Sequence, residues 1–328
     1  MDFEQFFSGF NRLKVAVIGD VMLDTYMWGH VERISPEAPV PVVALNKKEY
    51  RIGGAGNVAL NTVALGAATY IISVIGNDED GQQLTKLFQQ NNIHTNYLLN
   101  SNDRITTSKT RVISRNQQMM RLDAELTNDI TPDLEDELLQ KIQQCIQEHK
   151  PDIIIFEDYN KGILTQRIIK DVITMCKQHS IVTTVDPKRK NFFNYVGVDM
   201  FKPNLKEVKE ALNLLVEEVN EESLQQIHAM LHQQLQHTIS LITLSEKGVF
   251  YQSNEEHKII PTHVRNIADV SGAGDTVIAT ASLVYAATKN MELAAEIANI
   301  AGGLVCEEVG TAAIDKYKLQ QECILLFS

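Results

Sequence analysis

Cysteine is scarce in this chain: Cys145, Cys176, Cys306 and Cys323 are scattered over 328 residues with no CxxC pair among them. That excludes a disulfide framework and a cysteine-rich metal site, and the mostly apolar, helical neighbourhoods make these four reduced packing residues. No apolar run approaches the roughly 18–20 residues that span a bilayer, which excludes a transmembrane helix and a membrane partner. The opening Met1-Asp-Phe-Glu-Gln lacks the basic segment of a signal peptide, so the cytoplasm is the expected compartment. Positive charge is also in short supply, with 30 Lys plus Arg against 42 Asp plus Glu and a net charge of −12. Such a chain repels a polyanion unless its cations cluster, and no Lys/Arg run or aromatic-basic interleaving supplies the cluster, so nucleic acid is excluded as a partner. A small phosphorylated ligand held by a few local cations suits this balance better.

What the chain does have is a 44% hydrophobic content, enough for a substantial core. Apolar runs of β type, Lys14–Gly19, Tyr70–Ile75, Asp152–Phe156, Ile181–Val185 and Ile239–Leu244, alternate with helical patterns over Asn57–Leu65, Gly81–Gln90, Pro132–Glu148, Leu164–Gln178 and Glu207–Leu215. This rhythm predicts an α/β fold: a mainly parallel central sheet with helices on both faces, its ligands gathered at the carboxyl ends of the strands. Two stretches, 24–50 and 94–123, are too polar for central strands and read as β excursions forming a small lid, stiffened by Pro36, Pro39 and Pro41. Without a low-complexity linker, internal repeat or proline-rich boundary, residues 1–328 read as a single domain carrying that lid. The Gln-rich stretch Gln225–Gln236 has helical spacing; His228 and His232, at i and i+4 with His237 nearby, lack an acidic third ligand and read as a solvated helix face.

The segment most charged with chemistry is Asp269-Val-Ser-Gly-Ala-Gly-Asp275, followed at once by the apolar helical run Thr276–Ala287. Gly272, Ala273 and Gly274 stand where a loop becomes a helix, so backbone N–H groups can converge on an anion without side chains in the way. Asp275 on the rim is a candidate base for a hydroxyl that attacks a phosphate held there. The plainer alternative is an ordinary Gly-rich helix start with Asp275 facing solvent.

With Thr276 after it, this run resembles the GAGD signature of the ribokinase/PfkB carbohydrate kinases. Gly53-Gly54-Ala-Gly-Asn57 is similar to that family's GG-x-x-N motif, Asn204-Leu-Lys-Glu207 to its N-x-x-E motif, and Thr243-Leu-Ser-Glu246-Lys-Gly248 to its nucleotide-side strand and turn. The four occur in family order and cover nearly the whole chain. A narrower likeness joins Gly19-Asp20-Val-Met-Leu-Asp24, Arg33-Ile-Ser-Pro-Glu-Ala-Pro-Val-Pro41, Glu157-Asp158-Tyr-Asn-Lys161-Gly162, Val185-Asp186-Pro-Lys188, Thr107-Ser-Lys-Thr-Arg111 and Arg121-Leu-Asp123 to the kinases of bacterial ADP-heptose synthesis. That resemblance implies phosphorylation of C1 of D-glycero-β-D-manno-heptose 7-phosphate with ATP and Mg²⁺, on the way to lipopolysaccharide core precursors. The longer relatives carry a nucleotidyltransferase domain after the kinase, and a second activity is not expected here. Three positions depart from the pattern: Gly56 for the usual Ala, Glu157 for a common Ser, and Val270 for Thr or Ser. They leave room for a shifted substrate.

Carried onto this chain, the resemblance assigns Asp275 as the base for the sugar C1 hydroxyl and the amides of Gly272, Ala273, Gly274 and Asp275 as the cradle for phosphoryl oxygens. The stretch Asn204, Leu205, Lys206, Glu207 falls on the nucleotide side, with Asn204 and Glu207 orienting Mg²⁺ through water. The bland reading of the same four residues is a capping box opening a helix, and both can hold at once. Thr243, Glu246 and Gly248 would meet the nucleotide; the alternative is a plain β-turn. On the sugar side stand Asp20 and Asp24, whose carboxylates suit vicinal hydroxyls, with Gly53, Gly54, Asn57 and Asp186. Arg111, Arg121, Lys161 and Lys188 are candidates for the sugar phosphate, each with a solvated surface role as its alternative. Tyr26 and Trp28 stack on a sugar or serve lid-to-lid packing, since exposed lid edges need covering and favour a homodimer.

Gly54-Ala-Gly56-Asn-Val-Ala59 satisfies GxGxxA, the mark of a nicotinamide-dependent dehydrogenase. That fingerprint follows the first strand directly, whereas here the strand ends at Gly19-Asp20 and the glycines come only at Gly53. A non-catalytic sugar or nucleotide sensor has no need of Asp275 beside an anion pocket. Within the family, a ribokinase-, fructokinase- or adenosine-kinase-like substrate is the alternative to heptose.

Overall fold

Alternation along the first strand sets the architecture. Val15 and Val17 join one apolar cluster, Ala16 and Ile18 a second on the opposite face, so this strand is covered on both sides. The computed structural model describes residues 2–115, 117–214, 218–254, 256–263 and 265–327. Its strands are β1 Lys14–Gly19, β2 Val21–Ile34, β3 Pro41–Gly54, β4 Ala68–Gly76, β5 His94–Ser101, β6 Ser108–Ser114, β7 Gln117–Ala124, β8 Ile153–Glu157, β9 Val182–Asp186, β10 Met200–Phe201, β11 Ile239–Thr243, β12 Val249–Ser253 and β13 Glu256–Ile260. The helices are α1 Phe3–Gly9, α2 Ala55–Leu65, α3 Glu79–Gln90, α4 Pro132–His149, α5 Gln166–His179, α6 Leu205–Leu212, α7 Glu221–Leu235, α8 Ala273–Thr288, α9 Met291–Val305 and α10 Lys316–Leu326.

A nine-stranded sheet runs β13-β12-β11-β10-β9-β8-β1-β4-β5, parallel from β11 through β5 and closed at one edge by the antiparallel pair β12 and β13. One face is covered by α1, α2, α3, α8, α9 and α10, the other by α4 to α7. Every helix predicted from periodicity is present with its boundary moved by a few residues at most. The predicted end of α6 at Leu215 lies outside the described residues. Helix α8 is apolar almost all round and packs between α2 and α9, so its N-terminus is fixed by the core.

The lid is a four-stranded sheet, β3-β2-β6-β7, growing from the carboxyl end of β1. Its second excursion begins later than the sequence suggests. His94–Ser101 pairs in parallel with β4 as the edge of the main sheet, and its polar alternation comes from that half-covered position. No helix of the described residues is long and apolar enough to cross a membrane.

On α7 the solvated face read from spacing holds for His232, which is exposed, but not for His228. His228 continues the stripe Leu224, Ile227, Leu231 and is buried, as is His237. The Ser240 hydroxyl lies 2.9 Å from His228 Nδ1 and 2.7 Å from His237 Nε2, while His232 Nδ1 sits 2.7 Å from the His237 carbonyl. Burial pushes His228 down to about 4 and His237 down to about 3, so both rings stay neutral at physiological pH.

Candidate active site

Strand register assembles the centre. At their carboxyl ends β1, β8 and β9 align Gly19 with Glu157 and Glu157 with Asp186, which puts two acidic side chains beside each other under the start of α8. That helix begins at Gly272, whose φ of +80° suits only glycine, and a Cβ there would sit 2.8 Å from Asn57 Nδ2. No side chain caps the helix, so its first turn keeps backbone donors available for an anion, save the Ala273 amide, which donates to the Val270 carbonyl at 3.3 Å. Under Gly274, an added Cβ would lie 3.6 Å from Asp186 Oδ2 and 3.7 Å from Lys202 Nζ. The start of α8 thus lies directly over a buried ion pair.

Asp275 occupies the first turn of α8 and is 5% exposed. Asn57 Nδ2 donates to its Oδ2 at 2.7 Å and the Tyr159 hydroxyl donates to its Oδ1 at 2.9 Å. Burial raises its pKa to about 6; Asn57 and Tyr159 oppose the rise, Asp186 adds to it and Lys202 opposes it. The solvent-facing alternative is therefore wrong. A carboxylate pinned at both oxygens and poised near neutrality has the properties of a general base.

Lys202 is 2% exposed and holds Asp186 Oδ2 at 2.8 Å, while Lys188 reaches Asp186 Oδ1 at 3.4 Å and Glu207 Oε1 at 2.8 Å. Burial alone would raise the Asp186 carboxyl, but Lys188 and Lys202 pull it below its ordinary value. Asn204 and Glu207 form the capping box of α6, with Glu207 Oε2 accepting from the Asn204 amide at 2.8 Å and Asn204 Oδ1 from the Glu207 amide at 2.8 Å. The capping reading holds, and Lys188 links the same carboxylate to the centre. Leu205 and Lys206 follow in that first turn, Lys206 with its side chain exposed beside Glu210. Thr243 pairs with Asn204 in a parallel bridge, which brings the end of β11 to this helix start. Glu246 is exposed in the turn 245–247, and Gly248, at φ +97°, is needed because a Cβ would meet the Ile260 carbonyl at 2.0 Å.

The sugar-side residues are placed differently from their sequence reading. Asp20 is engaged by the fold: its Oδ2 accepts from the amides of Tyr159 at 2.8 Å and Lys161 at 3.0 Å, its Oδ1 from Ile163 at 3.1 Å. Burial and Asp158 nevertheless raise it to about 6. By anchoring this loop it fixes Tyr159 under Asp275. Asp24 pairs with Arg111 at 2.5 Å, and Gly53 makes room for it, since a Cβ there would lie 2.5 Å from Asp24 Oδ2. Gly54, at φ +60°, packs on the Asp20 carbonyl. Asn57 is fully buried and directed at Asp275. Lys188 belongs to the centre below α8, away from the other candidate cations on the lid and in the loop after β8. Of those, Lys161 pairs with Glu125 at 2.7 Å and Arg121 with Asp123 at 2.9 Å.

Tyr26 is not free to stack on a sugar: it is buried against Arg51, 4.7 Å from the ring centre, and Arg111, 5.2 Å away. Arg51 also donates to the carbonyls of Val309 at 3.0 Å and Thr311 at 3.2 Å, tying the lid to the loop after α9. Sequence reasoning missed Arg51, Tyr159 and Lys202. Arg51 had a findable signal, because the β2–β3 register sets it opposite Asp24. Of the three departures, Gly56 is explained by Ile52 and Phe88, which lie 2.5 and 2.8 Å from where its Cβ would be. Val270 is exposed.

Known proteins carry the same arrangement of elements. Phosphofructokinase-2 of Escherichia coli, solved with potassium, superposes with a TM-score of 0.80 at 16% identity, over 96% of this chain and 99% of that one. Ribokinase of Arabidopsis thaliana, solved with ribose and ATP, does so with a TM-score of 0.72 at 17% identity, over 94% and 99%. These show the ribokinase-like fold. Sequence similarity is greater to the bifunctional protein HldE of Sulfurimonas denitrificans, 37% identical over 94% of this chain and 64% of that protein. The HldE of Nitratiruptor is 40% identical over 94% and 64%. The chain thus spans somewhat less than two thirds of the length of these relatives. The model of the pfkB family of carbohydrate kinases matches residues 12–316, from the approach to β1 into α10. Since that span takes in Asp275, the helix start above the ion pair and every strand that positions them, the chain belongs to the pfkB family of carbohydrate kinases, enzymes that transfer a phosphoryl group to a sugar.

Proposed function

We propose that this chain is the ATP-dependent kinase that phosphorylates the C1 hydroxyl of D-glycero-β-D-manno-heptose 7-phosphate. The observation that carries the transfer reading is Asp275, buried at the start of α8 and held at both oxygens by Asn57 and Tyr159. The heptose reading rests on the likeness to HldE proteins and on the lid residues that share it. Asp275 takes the proton of the attacking hydroxyl, the first-turn amides of α8 hold the phosphoryl oxygens, and Lys202 adds a fixed positive charge beneath them. Glu207 has one oxygen in the capping box and the other on Lys188, so it suits a hydrated Mg²⁺ held through water. Bound there, the ion would neutralise phosphate charge. The sugar phosphate is assigned to the lid side, where Arg111 and Arg51 flank Tyr26.

The discriminating measurement is kcat/KM over heptose 7-phosphate, fructose 6-phosphate, ribose and adenosine, with the product position read by phosphorus NMR. Heptose 7-phosphate is expected to lead by at least about tenfold, on the scale of one well-placed contact set. Preference for another sugar would remove the heptose assignment and leave the transfer centre standing.

The lid also supports a homodimer in the cytoplasm. Its outer strands β3 and β7 are edges, and Leu45, Met120 and Leu122 on them are all more than half exposed. Sedimentation at micromolar concentration should give a dimer, and a monomer there would refute lid-to-lid pairing.

A further inference from the structure

The loop after β8 sets Tyr159 under Asp275, and its backbone needs outside bonds to keep that shape. Asn160 has a φ of +55° and Gly162 a φ of +89°, two left-handed residues one position apart. Asp20 holds the loop by its amides, those of Tyr159, Lys161 and Ile163. Arg104, on the connection from β5 to β6, holds it by a carbonyl. Its Nη2 donates to the Lys161 carbonyl at 2.5 Å and to the Leu126 carbonyl at 3.3 Å, and its Nη1 donates to the Asn128 carbonyl at 2.9 Å. Lys161 is thus gripped at both ends of its backbone, the amide by Asp20 and the carbonyl by Arg104.

Leu126 and Asn128 lie on the return from β7 to α4, so one guanidinium joins both roots of the β6–β7 hairpin of the lid to the loop that carries Tyr159. The Ile130 amide closes the same seam by donating to the Gly162 carbonyl at 3.0 Å, and a Cβ on Gly162 would lie 2.0 Å from the Asn128 oxygen. Among the described residues Arg104 pairs with no carboxylate. Burial draws its pKa down, with Asp20 and Asp129 opposing, so this charge is kept at a cost and spent on main-chain acceptors. A planar fork of five N–H donors can direct three carbonyls at once, which a single ammonium cannot. From the lid root the bonds run through Arg104 to Lys161, along the loop to Tyr159, and from its hydroxyl to Asp275 Oδ1 at 2.9 Å.

We propose that Arg104 is a positioning residue for phosphoryl transfer, which sets the Tyr159 hydroxyl on Asp275 according to where the lid stands. This role rests on Asp275 being the base. Arg104→Met, Tyr159→Phe, the double variant and Asp275→Asn are compared in steady-state kinetics with ATP and whichever of the four substrates above leads in kcat/KM. Arg104→Met should lower kcat at least about tenfold with KM for ATP within about threefold, because α6, α8 and β11 keep their contacts. Tyr159→Phe should lower kcat by a similar factor. Added to Tyr159→Phe, Arg104→Met should cost less than about threefold more, since the hydroxyl it positions is already gone. Arg104→Lys keeps the charge and one donor, so it should lose less, about fivefold, and almost nothing beside Tyr159→Phe. It takes the place of Arg104→Met in the cycle if that variant does not fold. An arginine that only supports the fold would give losses that multiply. That result, or Arg104→Met at the wild-type rate while Asp275→Asn is slow, would overturn the link. Asp275→Asn at the wild-type rate would instead remove the base reading, and this role with it.

Discussion

Asp275→Asn is expected to lower turnover by at least about a hundredfold while leaving ATP affinity nearly unchanged, the scale of losing a general base. Asparagine keeps the shape and the neighbours Asn57 and Tyr159 but cannot accept the sugar's proton. The wild type should lose kcat/KM about tenfold per pH unit below about 6, where this carboxyl takes up its own proton, and the variant should show no such limb. Stability runs the other way. Burial lifts the group from 3.8 to about 6, so the folded chain binds this proton more tightly than the unfolded one. The stability it contributes is full below 3.8 and is lost as the pH rises through about 6. In chelator at pH 8, Asp275→Asn should therefore be more stable than the wild type by on the order of 2–3 kcal/mol, the difference disappearing in acid. Urea unfolding at the two pH values and steady-state kinetics check both halves. Turnover within threefold of wild type would end the base assignment.

That opposition explains which parts of the centre were legible beforehand. The helix start at Gly272 to Asp275 announces itself, because glycines before an apolar helix have few other uses, and sheet class follows from apolar runs alternating with helical periods. Asn57 and Glu207 were visible as motif members, but their partners were not: Asn57 turns to Asp275 and Glu207 to Lys188, contacts that depend on how β9, α2, α6 and α8 meet. Asp20 shows the limit most clearly. A carboxylate after the first strand looks like a hydroxyl ligand, yet three amides of the loop after β8 claim it, and nothing near Asp20 in sequence foretells that loop. His228 was misread for a simpler reason. Its spacing to His232 drew attention from its place in the stripe Leu224, Ile227, Leu231, which is the stronger periodic signal.

Lys202 tests the centre from the opposite charge. Nothing in its neighbourhood, Phe201-Lys202-Pro203, marks it as functional, and a lysine between a buried strand and a proline reads as a surface turn. It is instead buried, bonded to Asp186, and its Nζ would lie 3.7 Å from a Cβ added at Gly274. A fixed cation in a site shielded from water stabilises charge that develops on transferring oxygens far better than a mobile one. Lys202→Met should therefore cost about 10²–10³ in kcat with saturating nucleotide, or roughly 3–4 kcal/mol of transition-state stabilisation. Folding also suffers, by about 3–5 kcal/mol, since removing one partner strands a buried carboxylate that Lys188 holds only at 3.4 Å. Lys202→Arg separates the two effects. It keeps the charge and should recover part of the folding loss, but a planar guanidinium cannot sit where a point charge fits under Gly274, so kcat should stay at least tenfold low. If Lys202→Met folded and turned over at the wild-type rate, the cation would be a structural partner of Asp186 alone.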